Sequence, residues 1–415
     1  MHSFTLAFLA ALAFTTLAQL WLARRHIRHI EAHRGSIPPE FSGRITIDAH
    51  QKAADYTAAR TRVGMIETAV GAVVLLGFTL GGGLQHLSSA WTPLFEHGGY
   101  AHGIAFIASV VAVGALVDLP FGLYRTFVVE ARYGFNRMTP FLYFLDMAKQ
   151  TLLGALLGLP LVFCVLWLMA KMGPAWWLYV WLTWVGFSLL MLILYPTLIA
   201  PLFNRFTPLE DEALKARIER LLVKCGFRSQ GLFVMDSSRR SSHGNAYFTG
   251  FGAAKRIVLF DTLLARLAPQ EIEAVLAHEL GHFSHRHVWK RMALLFGLSL
   301  GFLWLLGYLI GEDWFYAALN VQSHTTAIAL VLFFMVAPVF AFLLQPLMSL
   351  YARRHEYEAD AYAAEHAAAS DLVRALVKLY QDNASTLTPD PLHSAVYDSH
   401  PPAALRIARL QLARA

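Results

Sequence analysis

Charge is what this chain has least of. Only 15% of its 415 residues are Asp, Glu, Lys or Arg, against roughly 25% in an ordinary soluble domain. Cysteine is nearly absent: Cys164 sits in an apolar run and Cys225 in a polar one, which excludes a disulfide framework and a cysteine-type zinc site. There is no internal repeat and no low-complexity tract. The first apolar run has neither a basic segment before it nor a small-residue cleavage site after it; Arg24, Arg25 and Arg28 follow it instead. It is therefore expected to stay as a membrane span and not to be removed as a signal peptide. The net charge of +6 is modest, and no nucleic-acid partner is needed to explain it.

What fills the space left by charge is hydrocarbon: 56% of the residues are hydrophobic. A bilayer-spanning helix needs about 20 mostly apolar residues. Seven stretches qualify or nearly so, at about 4–23, 63–84, 103–124, 148–170, 175–195, 292–310 and 325–350. The connections between them alternate in charge. Arg24 to Arg62 carries eight Lys or Arg, the connection at 85–102 has none, and the next has Arg125, Arg132, Arg137 and Lys149. The turn after the fourth run has only Lys171, and 311–324 has no basic residue. By the positive-inside rule the N-terminus is then outside and the C-terminus cytoplasmic. Glu67 and Asp118 fall inside apolar runs, where ionisable groups usually face a protein interior or a wet cavity.

Two pieces are soluble in composition, and each follows an odd-numbered span, so both lie on one side and can form one domain. The expected division is 1–202 for five spans with their loops, 203–290 and 351–415 for the two parts of a catalytic domain, and 291–350 for spans six and seven. The first polar piece opens with an amphipathic helix carrying Leu214, Ile218, Leu221 and Leu222 on one face. Short β-forming segments follow, and "RIVLFD" (256–261) is the expected edge that takes an extended peptide as an added strand.

The motif that carries chemistry is His278-Glu279-Leu280-Gly281-His282, inside "VLAHELGHFSHRHVWK" and directly before the sixth span. On a helix, residues four apart share a face, so both imidazoles can meet one cation with the glutamate beside it. The neighbouring His285 and His287 are expected to be solvated or to face lipid headgroups. Catalytic zinc takes three protein ligands and keeps a position for water, so a third ligand is required. The segment "RRHEYEADAYAAEH" (353–366) offers Glu356, Glu358, Glu365 and His366. Glu356 and Asp360 are four apart on one face, while Glu358 points elsewhere. That suits a ligand with a second carboxylate behind it, although Asp360 as a plain surface carboxylate is the competing reading.

At these residues the chain resembles the integral-membrane zinc metalloproteases of the type I CaaX prenyl protease family, relatives of the HtpX proteases. The likeness includes "VEARYGFNRMTP" (129–140), "PTLIAPLFNRFTPLED" (196–211), "SSHGNAYFTGFGAAKRIVLFDTLL" (241–264), "LAHELGHFSHRH" (276–287), "RRHEYEADAYA" (353–363) and "DSHPPAALRIARL" (398–410). It implies a mainly α fold of seven transmembrane helices enclosing a chamber, with a small α+β zincin-like catalytic domain. It also implies one Zn2+ per chain held by His278, His282 and Glu356, with Glu279 as general base. His400 would steady the reacting carbonyl, Asp360 and Arg406 would support the site, and Asn245 with the "NAYF" segment (245–248) would form the strand that lies along the substrate. One departure is visible: His355 stands where family members often have a bulky apolar residue.

The expected activity is a membrane-embedded zinc endopeptidase that cleaves peptide or protein substrates, lipid-modified or membrane-tethered, near the bilayer surface. The Ala- and Arg-rich composition suits a bacterium, where the inner membrane would be the location and membrane-protein quality control the work. The competing reading is a seven-span transporter or receptor with a structural metal. Substrate identity and oligomeric state are not legible.

Overall fold

The computed structural model describes residues 2–227, 229, 231–249 and 256–412. The "GFGAAK" portion (250–255) of the motif at 241–264 lies outside the described residues. Among those described, seven helices are long and apolar enough to cross a membrane. They are built on α1 (Ser3–His33), α2 (Ile47–Phe78), α3 (Tyr100–Tyr124), α4 (Pro140–Lys171), α5 (Trp176–Leu194), α8 (His287–Leu309) and α9 (Thr326–Ala341). The catalytic part adds α6 (Glu212–Lys224) and α7 (Pro269–Ser284), then α10 (Gln345–His366), α11 (Ala369–Asp382), α12 (Pro391–Tyr397) and α13 (Ala403–Leu412).

The spans do not share burial evenly. In the most apolar stretch of the third span only 6% of residues are buried, against 39% in the seventh. α9 is the hub, since α1, α3, α4 and α8 all pack on it. Pro338 lies inside α9, which gives way at Phe342–Leu344 to a 3₁₀ turn. Proline removes an N–H from the ladder and bends helices. The chain then resumes as α10, so the last span runs on into the polar helix.

The sheet has four strands, β1 (Phe206–Pro208), β2 (Leu232–Met235), β3 (Ala246–Thr249) and β4 (Arg256–Phe260), in the order β1-β2-β4-β3. β4 runs parallel to β2 and antiparallel to β3, with Ile257 opposite both Leu232 and Phe248. The expectation that residues 256–261 form a peptide-accepting edge is therefore wrong. Ile257, Val258 and Leu259 are all buried, as an interior strand with a parallel neighbour requires. The edge strands of this sheet are β1 and β3.

One hydrophobic core joins the two polar pieces. It draws Leu214, Ile218 and Leu222 from α6, Ile272, Leu276 and Leu280 from α7, and Leu376 and Ile407 from α11 and α13. The basic connections grip this core. Arg25 holds the buried Asp390 at 2.9 Å, and Arg240 makes a two-pronged pair with Asp146 at 2.8 and 3.1 Å. His243 lies 3.5 Å from Glu130. Those contacts place the basic loops and both polar pieces on one side of the spans.

Helix α7 crosses α10 in close contact. A Cβ added at Gly281 would stand 2.9 Å from Ala359 Cα and 3.1 Å from Tyr362 Cβ, too close for backbone atoms to tolerate. Gly281→Val is expected to force α7 and α10 apart and to destabilise the protein by about 1–3 kcal/mol, the usual cost of overpacking. The check is a lowered thermal midpoint together with weakened zinc retention on dialysis; unchanged values for both would refute the claim that this contact sets the crossing.

Candidate metal centre

Helix α7 begins as its sequence predicts. Pro269 occupies the first turn, where its missing N–H costs nothing, and the Glu271 carboxylate accepts the Ala268 N–H at 2.7 Å. Ile272, Leu276 and Leu280 anchor its apolar side, so His278 and His282 are turned toward α10. On α10, Ala359 and Ala363 are the small residues at the crossing. Their size lets Glu356, one turn earlier, reach the two imidazoles.

The geometry is close to that of a metal-ligand set. Glu356 Oε2 is 3.4 Å from His278 Nε2, and Oε1 is 3.4 Å from His282 Nε2. Zinc bonds of about 2.0–2.1 Å in tetrahedral array put donor atoms about 3.4 Å apart. One ligand atom from each of the three residues lies within 4.8 Å of the others. Glu356 Oε2 is buried and has no hydrogen-bond partner. An orphaned carboxylate oxygen of this kind is costly unless a cation meets it, so the residues present fit zinc.

Behind the three stands a second layer. Asp360 Oδ1 lies 2.9 Å from His278 Nδ1, and Arg406 clamps the same carboxylate at 2.8 and 2.6 Å. The plain-surface reading of Asp360 is excluded, since its side chain is only 4% exposed. Burial favours a neutral His278, but the Asp360 and Glu356 carboxylates outweigh it and raise its pKa to about 9. The pocket thus draws positive charge to the place where the donor atoms converge. Glu279 is partly exposed; burial pushes its carboxyl up, against the pull of His278 and His282.

His400 reaches the cluster from the loop before α13, with Nε2 3.4 Å from Glu356 Oε1 and its side chain 59% exposed. It also lines a cavity of about 550 Å³ whose wall includes Tyr56, Glu67, Arg125 and Tyr380. Glu67 is thereby placed on a protein-lined cavity and pairs with Arg125 at 3.1 Å; Asp118 is exposed. A larger cavity, about 930 Å³, is lined by none of His278, His282 or Glu356. Asn245 is exposed just before β3, and its own side chain accepts the Ala246 N–H at 2.8 Å. It is not among the residues drawn into the metal cluster.

One residue was misread, and two named beside it acquire partners that the sequence did not show. His287 is not solvated: it is 1% exposed, its Nδ1 is 3.0 Å from His282 Nδ1, and its Nε2 is 2.9 Å from Glu358. Glu358 does point away from the ligands, as expected, but it points at this histidine. His355 stacks on His287 with centroids 4.0 Å apart. No periodicity could have revealed this, because Arg286 at φ +56° breaks the helix between His282 and His287.

The chain matches two family models in succession. Residues 26–205 match the CAAX prenyl protease N-terminal region of five membrane helices, and residues 208–414 match peptidase family M48. A CAAX prenyl protease 1 homolog of Arabidopsis thaliana is 40% identical over 309 residues, 74% of this chain and 72% of that one. CAAX prenyl protease 1 of Saccharomyces cerevisiae is 33% identical over 399 residues, 90% of this chain and 88% of that one. The crystal structure of S. mikatae Ste24p superposes with a TM-score of 0.92 at 31% identity, covering 99% of both chains. This multi-pass membrane protein belongs to the type I CaaX prenyl protease family of zinc metalloproteases.

Proposed function

We propose that His278, His282 and Glu356 hold the zinc of an endopeptidase that cleaves polypeptides presented at the membrane surface, with Glu279 as its base. The observation that carries this reading is that the two oxygens of Glu356 stand 3.4 Å from His278 Nε2 and His282 Nε2, with the buried Oε2 lacking a hydrogen-bond partner. When bound, zinc supplies Lewis acidity for the scissile carbonyl and for water.

The chain's own groups do the rest. Asp360 accepts the Nδ1 proton of His278, which leaves the Nε2 lone pair facing Glu356 and fixes the tautomer, and Arg406 holds Asp360 in place. Glu279 takes a proton from the attacking water and passes it to the leaving amine. Its burial keeps the carboxyl basic enough for that task. His400, exposed at the mouth of the site, donates to the carbonyl oxygen as charge develops there. The β3 edge pairs with an extended peptide, main chain to main chain, and Asn245 at its start guides the peptide backbone.

The packing of the basic loops on the polar pieces, read with the positive-inside rule, supports a site on the cytoplasmic side. A catalyst continuous with spans six and seven suits substrates held at the bilayer by a lipid or a transmembrane segment. In a bacterial inner membrane, the setting the composition suggests, the work is turnover of membrane proteins.

Glu279→Gln is expected to keep stoichiometric zinc and to lose at least about 10²–10⁴ in kcat. Retained cleavage would exclude Glu279 as the base, and lost zinc would void the comparison's premise. His400→Ala is expected to lower kcat about 10²–10³ with zinc retained; an effect confined to KM would remove His400 from the reaction. Substrate and side are tested together with lipidated and unlipidated peptides added to sealed vesicles of known orientation. Cleavage is expected where the cytoplasmic face is outward, at lower KM for the lipidated peptide. Cleavage only in the opposite orientation, or no preference for a membrane-anchored substrate, would overturn the assignment.

A further inference from the structure

Beside the zinc cluster stands a second set of metal-ligating side chains that the reaction does not use. His287 opens α8, while His355 and Glu358 flank Glu356 on α10. One ligand atom from each of the three lies within 4.8 Å of the other two. The two imidazoles are 1% and 3% exposed and stack with an interplanar angle of 9°. Glu358, 30% exposed, leaves one side of the group open to solvent. His355 Nδ1 is buried without a hydrogen-bond partner, an arrangement that is costly unless something else meets the nitrogen. Two imidazoles and one carboxylate with an open side form a donor set of the type zinc takes, and one that suits other late transition metals.

We propose that His287, His355 and Glu358 form a second divalent transition-metal site, and that filling it weakens the first. The two sites differ in readiness. Donor atoms of the first already stand at 3.4 Å, the spacing a tetrahedral ion needs. In the second the rings are parallel, so their in-plane lone pairs do not meet; His355 must turn out of its stack before both can bind. The second site is therefore the weaker of the two.

The coupling is a matter of proton count and rests on the assignment of His282 as a zinc ligand. With zinc on Nε2, His282 carries its proton on Nδ1 and donates it to His287 Nδ1 at 3.0 Å. His287 must then carry its own proton on Nε2, where Glu358 accepts it at 2.9 Å. An ion on His287 Nε2 displaces that proton to Nδ1. Two N–H groups then face each other across the same gap. One ring must turn away, so each ion lowers the affinity for the other by the same factor, as linkage requires.

The test titrates full-length, metal-stripped protein in detergent with Co2+ or Zn2+, reading stoichiometry by calorimetry and the cobalt absorption spectrum. The wild type is expected to bind two ions in separate steps, with peptidase activity rising in the first and falling about tenfold in the second. His355→Phe keeps an aromatic ring between Tyr351 and His287; it is expected to bind one ion and to keep its activity at metal excess. Glu358→Gln provides a second variant with the same expectation. Glu356→Gln is expected to lose the first step and keep the second, which separates failure of this site from failure of the catalytic assignment. A wild type that saturates with one ion at large metal excess would overturn the proposal. So would a second ion that persists in both His355→Phe and Glu358→Gln.

Discussion

Everything at the active site depends on how closely two helices can approach at one glycine. Gly281 meets Ala359 with no room for a Cβ between them. Because that contact lies within a turn of His282 on one helix and Glu356 on the other, it sets the distance between side chains contributed by segments more than seventy residues apart. Small residues at a helix crossing let backbones approach closely. Here the close approach turns two ordinary helical faces into a convergent donor set.

The electrostatics follow from that approach. Two carboxylates, Glu356 and Asp360, are buried on one face of α10, and Arg406 is the buried cation that faces both, 3.8 Å from the first and 2.6 Å from the second. Charges in such a place persist only when paired, and the Glu356 oxygen without a hydrogen-bond partner marks where the pairing is incomplete. The same crossing brings the start of α8 against α10, so His287, His355 and Glu358 meet beside the first cluster. Because helix α8 is itself a span, the position of the catalyst relative to the bilayer is built into chain connectivity and is braced from the other direction by Arg25 on Asp390 and Arg240 on Asp146.

The spans were legible because bilayer thickness imposes a length and a composition on any segment that crosses it. The paired imidazoles were legible because a four-residue spacing on a helix is a local property. β4 was misread for a related reason. Residues 256–260 form a short apolar run in which Ile257, Val258 and Leu259 are all buried, and periodicity does not say whether such a strand is covered by one neighbour or by two. Its position between β2 and β3 is a matter of pairing across the chain. His287 was misread because the helix changes direction at Arg286, after which spacing carries no information about facing.

By itself, the sequence determined the number of membrane spans, the side on which basic loops gather, the helix with its histidine pair, and, through a family likeness, which carboxylate of α10 to set against that pair. Those properties arise from periodicity, hydropathy and short-range spacing, which a linear chain records directly. Only the tertiary structure decided which carboxylate oxygen stands 3.4 Å from each imidazole, that Asp360 is buried under Arg406, that β4 lies inside the sheet, and that His287 turns inward to meet His355 and Glu358. The reason is that each of these is a contact between distant segments, which exists only once strand pairing and the α7–α10 crossing have brought the segments together.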